Sequence, residues 1–116
     1  VQYTHARCCS VLRKANMDVT TDVDYNLLSD ADSSEVLKLI ASFNKNLLVA
    51  MRKNEPHIVT RFVLDLAQAF NKFYHDNSIL VDDIEVKKAR LALVASTKQT
   101  IENALAILGM GAPERM

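Results

Sequence analysis

Apolar residues recur at helical spacing along most of the chain. Val1, His5, Cys8, Leu12 and Ala15 fall on one side of a first helix from Val1 to about Ala15; Tyr3, Arg7, Ser10 and Lys14 fall on the other. The pattern breaks from Asn16 to Ala31, a long connector that Tyr25, Leu27 and Leu28 are expected to anchor to the core. Asp32 and Ser33 supply N-cap chemistry, with Glu35 three positions after Asp32. A second helix then runs to about Ser42 with Val36, Leu37 and Ile40 inward, and Phe43 to Lys53 continues with Leu47, Leu48 and Met51. A break or bend is expected near Phe43 to Lys45, one continuous helix being the alternative. "NEPHIV" is a start signal, with Pro56 suited to a first helical turn. Ile58, Phe62, Leu66, Phe70 and Phe73 follow as an aromatic-rich stripe to about Tyr74, while Thr60, Arg61, Asp65, Gln68 and Lys72 face away. Beyond the turn region "HDNSILVDD", Asp82 or Asp83 is placed to cap a last long helix to Leu108, and Gly109 sits where a left-handed C-cap belongs. The pattern predicts an all-α bundle of about five helices, one domain over residues 1–116.

Composition narrows this picture without changing it. The 116 residues suffice for one modest core, and a hydrophobic share of 49% is ordinary for a globular chain. Two glycines and two prolines leave little room for a sheet with tight hairpins. No apolar run approaches the roughly 18 residues that span a membrane, and no basic-then-apolar leader opens the chain. Cys8 and Cys9 are adjacent, so a helix points them about 100° apart. Their number and spacing suit neither a zinc site nor a disulfide framework. Two small buried thiols in a reducing cytosol are the expectation, with a catalytic cysteine beside His5 the remote alternative.

Charge excludes a generic polyanion binder, because 14 Lys and Arg balance 14 Asp and Glu. The distribution is polarised all the same. Arg7, Arg13 and Lys14 meet no acid before Asp18, and then Asp18, Asp22, Asp24, Asp30, Asp32 and Glu35 follow without a basic residue. A small directed anion site fits that arrangement.

Enzymatic chemistry is harder to find. There is no Gly-rich phosphate loop, no HExxH and no GxSxG. His57 decorates a helix start, and His75 ends the same helix, where a cation suits the dipole. Val86, Leu93, Val94, Thr97, Ile101, Ala104 and Leu108 form the stripe of the last helix, and Arg90 falls within it. Arg90 reads first as a core-edge arginine that snorkels or pairs with an acid, and second as a polar anchor for a binding surface. Tyr3 and Arg7 stand one turn apart, with Lys14 two turns beyond Arg7. An aromatic ring beside basic residues can stack an unpaired base while holding its phosphate, although such pairs also decorate ordinary solvated helices.

Three stretches change those odds: "VQYTHARCCSVLRKA", "EPHIVTRFVLDLAQAFNKFY" and "ARLALVASTKQTIENALAILGMGAPERM". In order and over nearly the whole chain, they resemble the C-terminal part of bacterial-type arginyl-tRNA synthetases. This is the helical anticodon-binding domain of class I aminoacyl-tRNA synthetases named after an Asp-Ala-Leu-Arg motif. Those letters do not occur as such; the corresponding stretch is "KKARLALV", around Ala89, Arg90 and Leu91. The resemblance implies that a Rossmann catalytic domain with HIGH-like and KMSKS-like motifs precedes this segment, which is why the chain opens mid-helix. It implies an arginine–tRNA ligase as the parent protein, cytoplasmic, using ATP and Mg, with no cofactor, metal or catalysis in this segment. The partners it implies are tRNA(Arg) and the enzyme's own catalytic domain, with no DNA and no membrane. It places Tyr3 and Tyr74 against anticodon bases, and Met116 in the pocket through its carboxylate and thioether. Arg7 is the choice for a phosphate or base contact, with His5 and Arg90 in support. Two alternatives stay open: the anticodon-binding domain of a related enzyme such as the cysteinyl one, and a helical protein-interaction module.

Overall fold

In a computed structural model that describes residues 2–15, 28, 30–53, 55, 57–77 and 84–109, the chain forms five helices and, among those residues, no strand. They are α1 (Gln2–Ala15), α2 (Ala31–Ala41), α3 (Phe43–Lys53), α4 (His57–Asp76) and α5 (Ile84–Ile107). The long helices α4 and α5 pack on each other and carry the rest: α2 and α3 lie on α4, α2 also touches α5, and α1 lies mainly on α5. The contact between α1 and α4 is much lighter than that between α1 and α5.

The expected stripes form the core. Phe62, Leu66, Phe70 and Phe73 of α4 are buried, as are Leu93, Val94, Thr97, Ile101 and Ala104 of α5. Burying side chains such as Phe70, Phe73 and Leu66 contributes about 1.5–3 kcal/mol each. On α1 the buried face is wider than its stripe, since Thr4, Ala6, Cys9 and Val11 join His5, Cys8 and Ala15. Thr60, Arg61, Asp65, Gln68 and Lys72 point to solvent as expected. Leu28 is buried in the core, while Tyr25 and Leu27 lie outside the described residues.

The cap of α2 differs from expectation. Asp30, not Asp32 or Ser33, is the N-cap: its φ of −69° and ψ of 156° are extended, and its carboxylate accepts from Ser33 N at 2.9 Å and Ser33 Oγ at 2.7 Å. Ser33 is completely buried, so its hydroxyl needs a partner, and Asp30 supplies one. Burial pushes the Asp30 carboxyl up; the Ser33 hydrogen bonds outweigh it, helped by the charge of Arg90, and hold it below its ordinary 3.8. Arg90 is half-buried, and its positive charge acts on the Asp30 carboxyl. Asp32 falls in the first turn of α2 and pairs with Lys72 of α4 at 3.3 Å.

The segment from 33 to 53 is two helices, broken at Ser42, one residue before the expected region. The Ser42 hydroxyl donates back to Leu39 O at 2.9 Å, and Asn46 Nδ2 donates to Ser42 O at 3.1 Å, so side chains share the carbonyls that the backbone N–H groups of Ser42 and Asn46 also reach at the joint. Phe43, Leu47 and Ala50 turn inward, continuing the face of Val36 and Ile40, and the Phe43 ring meets Phe62 at 5.4 Å between centroids. Leu48 and Met51, expected inward, are 53% and 69% exposed. At the other end, Gly109 has the left-handed φ of 76° expected of a C-cap. Pro56 and the caps assigned to Asp82 or Asp83 lie outside the described residues.

Candidate nucleic-acid interface

Helical spacing puts Tyr3 and Arg7 on one face of α1, and the light α1–α4 contact brings the last turn of α4 beside them. The result is a layered cluster. The guanidinium carbon of Arg7 lies 4.8 Å from the centroid of the Tyr3 ring and 4.5 Å from that of Tyr74. Both distances are within the range for cation–π attraction. Arg7 Nη2 donates to Tyr3 Oη at 3.0 Å, and Nη1 donates to Asn71 Oδ1 at 3.2 Å. Asn71 Nδ2 in turn donates to the hydroxyl of Thr4 at 3.1 Å. Thr4 is buried, Asn71 and Arg7 half-buried, and the tyrosines exposed, at 57% for Tyr3 and 37% for Tyr74. The arrangement steps outward from core to solvent.

The two rings are not equivalent. Tyr74 is flanked by Arg7 and by the Phe70 ring, whose centroid is 6.3 Å away in a stacked arrangement. Tyr3 has Arg7 against it and offers more open ring surface. A guanidinium carries five N–H donors. The two bonds above use one nitrogen each and leave donors for an outside acceptor. Chemically the cluster can receive a planar aromatic group on Tyr3 and an anionic or carbonyl oxygen on Arg7. Arg13 and Lys14 add positive charge in the last turn of α1.

His5 points the other way, into the bundle. It is completely buried, and its Nε2 lies 2.8 Å from Glu102 Oε1 on α5. Lys98 Nζ reaches the same oxygen at 3.2 Å. The His5 hydrogen bond, with help from Lys98 against the effect of burial, holds the Glu102 carboxyl below its ordinary 4.5. Cys9 Sγ lies 3.9 Å from His5 Nδ1. Both cysteines are buried and unbridged, and burial, reinforced by Cys9, pushes the Cys8 thiol from 9.0 up to about 12. Cys8 is therefore a packing thiol at neutral pH, with no thiolate to act as a nucleophile. No three His, Cys, Asp or Glu side chains gather for a metal among the described residues, and no described helix is long and apolar enough to cross a membrane.

Of the residues singled out from sequence, Tyr3, Arg7 and Tyr74 come together, and His5 sits beneath them as a helix tie. Arg90 is half-buried on α5, apart from this cluster in sequence, and its charge lowers the Asp30 carboxyl pKa. Met116 lies outside the described residues. Thr4 and Asn71 were not foreseen: they stand 67 positions apart, and no periodicity signals a hydrogen bond between two isolated polar residues.

The model of the DALR anticodon binding domain matches residues 1–116. The chain belongs to this family. Its relatives share one name. The chain is 73% identical over 116 residues to an arginine–tRNA ligase of Clostridioides difficile and 49% identical to one of Alkaliphilus metalliredigens, covering 100% of this chain and 20% of the relative in each case. Among solved structures, the Thermus thermophilus arginyl-tRNA synthetase superposes with a TM-score of 0.82 at 28% identity, covering 99% of this chain and 20% of that one. The anticodon-binding domain thus spans about a fifth of the length of the relatives it matches. Each of these relatives is an arginine enzyme by name, which does not favour the cysteinyl alternative or a protein-interaction module.

Proposed function

We propose that this chain recognises the anticodon stem-loop of tRNA(Arg) for a cytoplasmic arginine–tRNA ligase. The observation that carries this is the Arg7 guanidinium held between Tyr3 and Tyr74 at the surface of a member of the anticodon-binding family. Anticodon bases are unpaired and expose both faces and edges. In this reading the open surface of Tyr3 stacks one base, and the remaining donors of Arg7 take a phosphate or a base edge. Tyr74 holds the guanidinium and presents its exposed ring edge to a second base. Met116 adds its thioether to the site, a role the family resemblance gives it. Ordering Arg7 before RNA arrives removes part of the entropic cost of binding.

Activation of arginine with ATP and Mg²⁺, and its transfer to tRNA, belong to the catalytic part of the parent ligase. The zero net charge suits such a division of labour. A neutral domain binds RNA through a few directed contacts and gains little from generic attraction to phosphates. Titrating the chain with the anticodon stem-loops of tRNA(Arg) and of a non-cognate tRNA tests the proposal. Tighter binding of the cognate loop is expected; equal binding of both, or of neither, contradicts it.

A further inference from the structure

We propose that Asn71 is a positioning residue for the RNA contact, acting through Arg7. This rests on the RNA-binding reading above. Tyr3 and Arg7 stand on α1 and Tyr74 on α4, so the site straddles the lightest of the contacts that α1 makes with the two long helices. One amide on α4 makes two polar links to α1 beside the Arg7–Tyr74 contact: Asn71 Oδ1 accepts from Arg7 Nη1 at 3.2 Å, and Asn71 Nδ2 donates to Thr4 Oγ1 at 3.1 Å. The amide can face only one way. Turned over, its NH₂ would oppose the N–H groups of Arg7, which has donors and no acceptor. Thr4 is buried on α1, a fixed point from which the amide is aimed.

The consequence concerns the guanidinium. An arginine side chain has large rotamer freedom, and two planar rings alone allow it to slide and turn between them. The bond to Asn71 removes that freedom from one edge, and the Tyr3 hydroxyl holds another nitrogen at 3.0 Å. What is left pointing outward is a defined set of N–H donors. Asn71 is half-buried beneath this layer, so its effect on RNA passes through Arg7.

The test is a double-mutant cycle in the full-length ligase that contains this chain, reading affinity for the anticodon stem-loop RNA of tRNA(Arg) and the thermal unfolding midpoint. Asn71→Ala is expected to weaken binding about tenfold, as for loss of one hydrogen bond to a charged group. Arg7→Ala is expected to weaken it at least as much. With Arg7→Ala in place, Asn71→Ala should cost nothing further, because the residue through which it acts is gone. Asn71→Gln guards against a folding defect: it keeps an amide on this half-buried surface but moves the acceptor by one methylene. It should keep the midpoint, lose affinity with Arg7 present, and lose none without it. If Arg7→Ala weakens binding while both Asn71 variants bind like wild type, the positioning role is wrong and the RNA reading stands. Fold-changes that multiply in the double variant also overturn it. If Arg7→Ala leaves affinity and discrimination unchanged, both readings fall together.

Discussion

Replacing His5 by alanine removes the buried tie between α1 and α5, and the structure sets the size of the loss. The imidazole is completely buried, and its Nε2 lies 2.8 Å from the Glu102 carboxylate. A hydrogen bond to a charged group contributes about 1.5–3 kcal/mol. Glu102 is 31% exposed and keeps Lys98 at 3.2 Å, so the carboxylate left behind is re-solvated, and the loss falls toward the lower figure. The vanished ring leaves a cavity between the helices, adding about 1–2 kcal/mol. The sum is about 3 kcal/mol. For a domain of this size, 1 kcal/mol moves the unfolding midpoint by about 4–6 °C, so Tm should drop by roughly 12–18 °C. Circular dichroism at 222 nm during a thermal ramp, about pH 7, measures it. Glu102→Gln keeps an acceptor for His5 but loses the charge, and should cost only about 1 kcal/mol. It should also change the acid limb. The Glu102 carboxyl is held below 4.5 in the folded chain, chiefly by the His5 hydrogen bond. As pH falls, the unfolded chain takes up this proton first. The stabilisation is therefore full above about 4.5 and is lost as pH descends through the folded value. In Glu102→Gln this part of the acid slope should vanish. A His5→Ala midpoint within about 4 °C of wild type, or an acid limb unchanged in Glu102→Gln, would refute the tie.

Arg90→Ala should destabilise the fold by about 1–3 kcal/mol, through lost stem packing and the lost charge facing Asp30, with anticodon discrimination preserved. An unchanged midpoint with lost RNA binding would instead make Arg90 a contact residue. The buried thiols Cys8 and Cys9 should resist iodoacetamide at about pH 8 while the chain is folded and react once it is unfolded. Serine at both positions should leave stem-loop affinity intact, apart from some loss of stability. Rapid alkylation of the native chain contradicts this.

Much of the fold was legible because it rests on periodicity. Phe62, Leu66, Phe70 and Phe73 announce the buried side of α4 by spacing alone, and Gly109 marks a helix end because few other residues adopt its φ of 76°. Where spacing met a local competitor, it failed. The helix breaks at Ser42, whose hydroxyl donates to Leu39 O, and Phe43, Leu47 and Ala50 take the inward face that Leu48 and Met51 were expected to share. Asp30 and not Asp32 is the cap: its carboxylate takes both the N–H and the hydroxyl of Ser33, three positions on. The candidate site was legible in pieces. Tyr3 and Arg7 are neighbours by helical geometry. Tyr74 was tied to them by family resemblance, since nothing local connects residues on different helices. Asn71 carried no signal because its bond to Arg7 spans 64 positions.

The most direct test of the proposed anticodon surface is stem-loop affinity measured by fluorescence anisotropy for Tyr3→Ala and Tyr74→Ala in the full-length protein that contains this chain, with the phenylalanine variants beside them. Loss of a base–aromatic stack costs roughly 1–3 kcal/mol, about tenfold to a hundredfold in Kd. Tyr3→Ala should show that loss for the tRNA(Arg) loop, and Tyr74→Ala a comparable or smaller one through the released guanidinium. Tyr3→Phe should fall between wild type and alanine, because the Tyr3 hydroxyl also holds Arg7 at 3.0 Å, whereas Tyr74→Phe should stay near wild type. Wild-type affinity and wild-type anticodon preference in both alanine variants would contradict the account and move the anticodon surface elsewhere on the bundle.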